Sequence, residues 1–154
     1  MLDGAALGRL GSRCGALPRV SLRLDARQCS WSLSPMSEKK TYEGGCHCKR
    51  VRYNVATDLA QVIACNCSIC AKSGSLLTFV TPDQFELLSG KDALTDYQFN
   101  KKVIHHTFCS TCGIKSYAMG TGPGGQEMVA INVRCLEGVD PSTLSLINYD
   151  GKNH

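Results

Sequence analysis

Short stretches of β-favouring residues recur along the chain from about residue 41 onward. Residues 51–55 alternate apolar and polar side chains, which is typical of a strand with one buried face. Further strands are predicted at residues 76–80, 103–108 and 128–133, where β-branched and aromatic side chains are enriched. No segment after residue 41 keeps a helical period beyond about three turns. The pattern therefore predicts a mainly β domain.

Turn-forming residues separate these stretches. They lie at residues 44–45, 81–83, 89–90, 120–125 and 140–141. One turn of helix is predicted after Cys67, and another near residues 82–85. The glycine-rich segment 120–125 lacks the Lys-Ser or Lys-Thr ending of a phosphate-binding loop. We interpret it as a mobile hairpin tip, with a lid over a metal site as the alternative.

Residues 1–35 differ from the rest of the chain. Five arginines interrupt every apolar run there, at Arg9, Arg13, Arg19, Arg23 and Arg27. A secretory signal peptide is therefore not expected, whereas arginine enrichment with few acids is typical of an organelle transit peptide. Met36 followed by Ser37 and Glu38 also reads as a natural start. We predict that residues 1–35 are a disordered or transit-like extension, or an upstream extension of the reading frame.

Charge is spread unevenly along the sequence. The net charge is +4, and residues 1–35 hold five Arg against two Asp, which leaves 12 basic and 11 acidic residues in 36–154. A nearly neutral folded part argues against nucleic-acid binding, which needs a basic patch or stripe. We interpret the small basic clusters at 49–52 and 101–102 as solvated faces. No run approaches the roughly 18 apolar residues of a membrane span, so no membrane association is expected.

Ten cysteines in 154 residues indicate either disulfides or metal binding. Seven of them form three tight groups, Cys46-x-Cys48, Cys65-x-Cys67-x-x-Cys70 and Cys109-x-x-Cys112-Gly113. Such spacings converge on one point rather than joining distant loops, and no secretory leader precedes them. We therefore expect reduced, metal-bound thiolates and a cytoplasmic location, with organelle targeting by residues 1–35 as the alternative.

Four of these cysteines predict a closed structural zinc site. On a strand, Cys46 and Cys48 would leave from the same face. Cys109 and Cys112 would close a tight loop around an ion, and Gly113 can adopt the positive φ that such a turn needs. Four thiolates would hold zinc tetrahedrally, and a site of this kind contributes on the order of 10 kcal/mol or more to folding.

The remaining three, Cys65, Cys67 and Cys70, supply three ligands of a second zinc, and the fourth ligand decides its function. A water or a substrate thiol there would make the site catalytic, because zinc lowers the pKa of either. A protein ligand would make it structural. The candidates for that ligand are Cys135, His47, His105 and His106. The third alternative is that these three cysteines bind no metal.

The three motifs in this order and spacing, including Gly45 and Phe108, resemble the glutathione-dependent formaldehyde-activating enzyme family, which also includes centromere protein V. The resemblance covers about residues 41–150. It implies a zinc-stapled fold of the β-tent type and two zinc ions per chain. It implies a structural zinc on Cys46, Cys48, Cys109 and Cys112, and a second zinc on Cys65, Cys67 and Cys70. The implied activity is the condensation of formaldehyde with glutathione to S-(hydroxymethyl)glutathione, a carbon–sulfur lyase reaction.

Two functional hypotheses follow from these residues. In the first, a small thiol such as glutathione enters the fourth position of the second zinc, loses its proton and attacks the carbon of a small aldehyde. In the second, both zinc sites are structural, and the chain is a non-catalytic module that binds protein or chromatin through residues 49–52 and the basic N-terminal segment. A Cys-x-x-Cys reductase is disfavoured because both such pairs already serve metal.

Overall fold

Strands dominate the part of the chain that the computed structural model describes, which is residues 38–122 and 124–154. The strands are β1 (Lys40–Gly45), β2 (Arg52–Thr57), β3 (Val62–Cys65), β4 (Leu76–Val80), β5 (Phe85–Ser89), β6 (Leu94–Tyr97), β7 (Ile104–Cys109), β8 (Tyr117–Thr121), β9 (Glu127–Asn132) and β10 (Leu146–Tyr149). The mainly β prediction is confirmed. The prediction for residues 1–35 lies outside the described residues.

Helical structure in the described ranges is limited to single turns. The α-helix α1 spans Cys70–Ser73, and the short 3-10 turns are Pro82–Gln84, Lys91–Ala93, Val133–Cys135 and Pro141–Thr143. The turns predicted after Cys67 and near residue 82 are therefore both present. No helix in this part of the chain is long and apolar enough to cross a membrane.

The described strands form two sheets. The smaller one has the order β1-β2-β5, and the larger one has the order β10-β3-β4-β9-β8-β7-β6. Neighbouring strands are antiparallel except for β10, which runs parallel to β3 and pairs Tyr149 with Cys65. This parallel pair brings the last strand of the chain next to the Cys65–Cys70 segment.

The hydrophobic core is built from the alternating positions that the sequence predicts. Val51, Tyr53 and Val55 are buried around β2, and Val129 and Ile131 are buried on β9. Burial of each such side chain stabilises the fold by about 1.5–3 kcal/mol. The rings of Tyr53, Phe85 and Tyr117 contact one another. The centroid distances are 5.3 Å between Tyr53 and Phe85, 5.8 Å between Tyr53 and Tyr117, and 4.8 Å between Phe85 and Tyr117.

An ion-pair cluster joins β1 and β2 to the segment after Val133–Cys135. Arg52 Nη2 donates to Glu43 Oε2 at 2.8 Å, and Arg52 Nη1 donates to Glu137. The Glu137 N–H also donates to the Glu43 carbonyl at 2.8 Å. The prediction that residues 49–52 form a purely solvated face is therefore wrong for Arg52, since two carboxylates hold its side chain and only 21% of that side chain is exposed.

Gly122, Gly124 and Gly125 lie at the tip of the hairpin between β8 and β9, since β8 continues to Thr121. These strands pair from Tyr117 with Ile131 to Thr121 with Glu127, and the Gly122 N–H donates to the Gln126 carbonyl at 2.8 Å. The interpretation as a hairpin tip is confirmed, while its mobility and the lid function stay predictions.

Candidate metal centres

Cys46, Cys48, Cys109 and Cys112 bring their sulfur atoms together, and we call these residues the quartet. All four Sγ atoms lie within 4.8 Å of one another. Cys48 Sγ lies 3.5 Å from Cys46 Sγ and 3.6 Å from Cys109 Sγ. Zinc–sulfur bonds of about 2.3 Å at tetrahedral angles place sulfurs about 3.8 Å apart. The arrangement therefore fits one tetrahedral ion.

The first half of the quartet is presented by a turn and not by a strand. β1 ends at Gly45, and the Cys46 N–H donates to the Val51 carbonyl at 3.0 Å. Lys49 adopts a φ of 63°, in the left-handed region. The Val51 N–H then donates to Cys46 Sγ at 3.3 Å. The expectation that Cys46 and Cys48 share a strand face is wrong, because this tight turn is what brings their sulfurs together.

The second half of the quartet is a tight loop of the predicted kind. Gly113 has a φ of 73°, and its N–H donates to the Cys109 carbonyl at 2.8 Å. Backbone N–H groups of Cys112 and Thr111 donate to the Cys109 sulfur and lower the pKa of Cys109 to about 6. The pKa of Cys112 is lowered as well, first by the Cys48 backbone N–H. The loop therefore favours thiolates, the form that binds metal.

Four neighbouring thiolates in the quartet would repel one another unless a cation lay between them. A backbone N–H from Arg50 lowers the pKa of Cys48, but burial and the sulfurs of Cys46, Cys109 and Cys112 outweigh it and raise that pKa to about 11. Four neighbouring thiols cannot all ionise unless a cation offsets their repulsion. The donor set thus fits a thiophilic metal ion such as zinc.

Cys65, Cys67 and Cys70 form a second group, which we call the trio. Their Sγ atoms all lie within 4.8 Å of one another. β3 ends at Cys65, and Cys70 begins α1. The Cys67 N–H donates to Cys65 Sγ at 3.4 Å, and the Ala71 N–H donates to the Cys67 carbonyl at 3.0 Å. Cys70 is buried, whereas Cys65 and Cys67 are half-buried. Three sulfurs on one short segment can hold one metal ion.

Lys115 is a charged neighbour of the trio that sequence reasoning missed. Its side chain is half-buried, and desolvation lowers its pKa, while Cys70, Cys67 and Cys65 raise it in that order. Burial and the sulfur of Cys67 raise the pKa of Cys70 to about 12. Lys115 is therefore a partly desolvated cation within electrostatic range of the three thiols. The signal in the sequence was its position three residues after Cys112.

None of the proposed fourth ligands joins the trio in the described ranges. Cys135 is half-buried, and its Sγ donates weakly to the Lys115 carbonyl at 3.9 Å. Burial raises the pKa of Cys135 to about 11, and the sulfurs of Cys46 and Cys112 raise it further, which places this thiol near the quartet instead. His47 is exposed in the turn of the quartet.

The two adjacent histidines of β7 point to opposite sides, as predicted. His105 is exposed, and its Nδ1 lies 2.7 Å from Asp96 Oδ2. His106 is buried and stacks on Phe99 with a centroid distance of 5.1 Å. Burial, and then Lys115, lower the pKa of His106, so its neutral form is favoured.

An open groove of about 560 Å³ borders both the quartet and Lys115. Cys46, Cys135 and Arg134 line it, as does Ser73 at the end of α1. A smaller cavity of about 210 Å³ beside Phe79 has no cysteine in its wall. The larger groove therefore reaches Cys46 of the quartet and Lys115, while Cys65, Cys67 and Cys70 are not in its wall.

Comparison with known proteins agrees with this arrangement. The sequence model of the glutathione-dependent formaldehyde-activating enzyme family matches residues 41–145, which include the quartet and the trio. The fold is similar to the crystal structure of a Rhodobacter sphaeroides protein, a structural genomics target, with a TM-score of 0.62. The two sequences are 31% identical, and the match covers 69% of this chain and 97% of that chain.

Proposed function

This chain belongs to the glutathione-dependent formaldehyde-activating enzyme family, and from that membership we propose that it adds a thiol such as glutathione to formaldehyde or a related small aldehyde. The product would be an S-hydroxymethyl hemithioacetal, and the reaction would be that of a carbon–sulfur lyase. The observation that carries the proposal is the trio, in which three sulfurs converge and no further Cys, His, Asp or Glu of the described residues joins them.

We assign a role to each cluster on the basis of its donor set. Four thiolates at the quartet would hold a closed, structural zinc, and three thiolates at the trio would hold a second zinc with one position left for substrate. When bound there, zinc supplies one piece of chemistry, because it lowers the pKa of a thiol at its remaining position.

The chemical step requires stabilisation of negative charge. The substrate thiol gives up its proton, its sulfur forms a bond to the aldehyde carbon, the carbon–oxygen π bond breaks, and the oxygen takes up one proton, so that the addition has no net proton change. We assign Lys115 to this oxygen because its half-buried ammonium lies within electrostatic range of all three trio sulfurs. A cation in a partly desolvated site stabilises a developing oxyanion more strongly than it would in water.

X-ray absorption at the zinc edge tests the proposal on the full chain. Glutathione should raise the average number of sulfur ligands per zinc from about 3.5 to about 4, because it completes the trio site only. S-methylglutathione, which lacks the thiol, is the matched control and should change nothing. Exchange NMR with labelled formaldehyde and glutathione should show faster adduct formation than in buffer. Four sulfurs at both ions without glutathione, and no acceleration, would contradict the proposal and leave the protein- or chromatin-binding module.

A further inference from the structure

Residues 149–152, which we call the strap, pack directly against the trio. A Cβ atom added to Gly151 would lie 2.6 Å from Cys65 Sγ and 3.1 Å from Cys67 Cβ. Real Cβ atoms do not approach sulfur so closely, so glycine at this position allows the backbone to cover the two cysteines. The strap follows β10 and lies beyond the range 41–145 that the family model matches.

Asn66, which lies between two trio cysteines, holds the strap with three hydrogen bonds. Its side-chain Nδ2 donates to Asp150 Oδ1 at 2.8 Å, and the Lys152 N–H donates to Asn66 Oδ1 at 2.9 Å. The Asn66 N–H donates to the Tyr149 carbonyl at 3.2 Å. Asn153 Nδ2 donates to the other oxygen of Asp150 at 2.6 Å, which orients the carboxylate. One amide side chain thus uses both its donor and its acceptor on the strap.

The two ends of the trio therefore have different surroundings. The strap covers the side of Cys65 and Cys67. Lys115 interacts most strongly with Cys70, at the opposite end of the motif. A ligand that comes to the trio therefore meets the strap backbone at Cys65 and Cys67, and the cation of Lys115 lies within electrostatic range.

We propose that Asn66 is a specificity-determining positioning residue, which clamps the strap as a wall so that a thiol reaches the trio metal only from the Cys70 side. The proposal rests on the proposed function, since it assumes that a thiol binds at the trio. The wall excludes thiols that are branched at the carbon next to sulfur, because extra methyl groups there collide with the strap. Primary thiols, such as glutathione, fit beside the strap and reach the trio metal.

The test uses the full chain with Co²⁺ at the trio and two probes of equal charge. N-acetylcysteine is a primary thiol, and N-acetylpenicillamine adds two methyl groups beside the same sulfur. Binding is followed by the sulfur-to-cobalt charge-transfer band. In the unmodified chain, the affinity for N-acetylcysteine should exceed that for N-acetylpenicillamine by about tenfold or more, the usual cost of misfitting methyl groups.

Asn66→Asp places a carboxylate against Asp150 and breaks the clamp. The ratio of the two affinities should then fall by about tenfold, and the amide of Lys152 should exchange its hydrogen faster. The double variant Asn66→Asp with Asp150→Asn swaps donor and acceptor, keeps the net charge and should restore both readouts. Asp150→Asn alone keeps an acceptor for Asn66 and should leave the ratio unchanged.

The outcomes separate this inference from the proposed function. If neither thiol alters the cobalt spectrum of the unmodified chain, the trio has no position for substrate and the proposed function fails. If both thiols bind and the ratio is the same in Asn66→Asp, the proposed function stands and the wall is overturned. Loss of selectivity without rescue in the double variant would likewise overturn the clamp, because the loss would then follow from local unfolding.

Discussion

The quartet and the trio use the same ligand chemistry on very different stretches of chain. Cys48 and Cys109 of the quartet are 61 residues apart in sequence, and their sulfurs lie 3.6 Å apart in space. The trio is contained in residues 65–70, at the end of β3 and the start of α1. A metal at the quartet would therefore join segments that only the complete fold brings together, whereas a metal at the trio would organise one local turn.

The surroundings differ in the same sense. Backbone N–H groups converge on the quartet sulfurs, as at Cys109, whose pKa they lower to about 6. Backbone N–H groups also donate to trio sulfurs, as from Cys67 to Cys65 Sγ, but the trio has in addition the strap against Cys65 and Lys115 within electrostatic range. Four sulfurs suit a closed, permanent site, whereas three sulfurs with a cation within electrostatic range suit a site where a ligand enters and charge changes. Substitutions at the two clusters should thus have separable effects.

Cys109→Ser should have the largest effect, because it removes a ligand of the site that joins distant segments. Loss of a structural zinc costs on the order of 10 kcal/mol, which is comparable to the whole stability of a domain. We expect insoluble or unfolded protein, measured by soluble yield and far-UV circular dichroism. Cys135→Ser, at a cysteine near the quartet but outside it, is the control and should stay soluble with two zinc ions.

Cys67→Ser should leave the fold intact and abolish turnover. The chain would keep the quartet zinc, so the zinc content should fall from about two ions to about one, and adduct formation should return to the uncatalysed rate. Metal analysis, circular dichroism and exchange NMR measure the three quantities. Ser68→Ala, in the same turn, is the control. Equal unfolding in Cys67→Ser and Cys109→Ser would mean that both clusters are structural.

Membership of the two clusters could be predicted from the sequence, because short cysteine spacings force the sulfurs of each motif together. The strands β2, β4, β7 and β9 could be predicted as well, since their alternation or β-branched content reflects a buried face. β10 could not, because all of its residues are exposed and carry no alternation. Its pairing with β3 is a tertiary contact that local pattern does not encode.

The parts of the site that distinguish the trio from the quartet depend on such tertiary contacts. Asn66 and Asp150 are 84 residues apart in sequence, and only the β3–β10 pair brings them together. Lys115 follows the quartet loop in sequence, and only the fold brings it within electrostatic range of the trio. The turn that presents Cys46 also escaped prediction, because Lys49 adopts a positive φ that lysine rarely takes.

Lys115→Met should reduce turnover without removing metal, which sharpens the contrast between the clusters. Removal of one charge-stabilising donor typically costs about 10²-fold or more in kcat, and we expect a loss of that order with the zinc content unchanged. Because burial lowers the pKa of Lys115, the rate that depends on its ammonium should decline at a lower pH than an ordinary lysine would give.

The control for this change is Lys72→Met, which removes an exposed lysine from α1. It should keep both the rate and its pH profile. Lys115→Arg, which keeps the charge, should recover part of the rate. If Lys115→Met turned over at the normal rate, and its rate declined at high pH as in the unmodified chain, the ammonium would have no part in the chemical step.

Gly151→Ala should have the smallest effect, and one confined to the trio. The added Cβ would lie 2.6 Å from Cys65 Sγ, so either the strap or the sulfur must move. The sulfur rotates more easily than the backbone that Asn66 holds, and we expect the affinity of the trio for zinc to fall by about tenfold, as when a neighbour of a metal ligand is altered. Competition with a chromophoric chelator measures this affinity, and Lys152→Ala, which keeps the backbone N–H that binds Asn66, is the control. An unchanged affinity would mean that the strap yields instead, and then it could not act as a rigid wall.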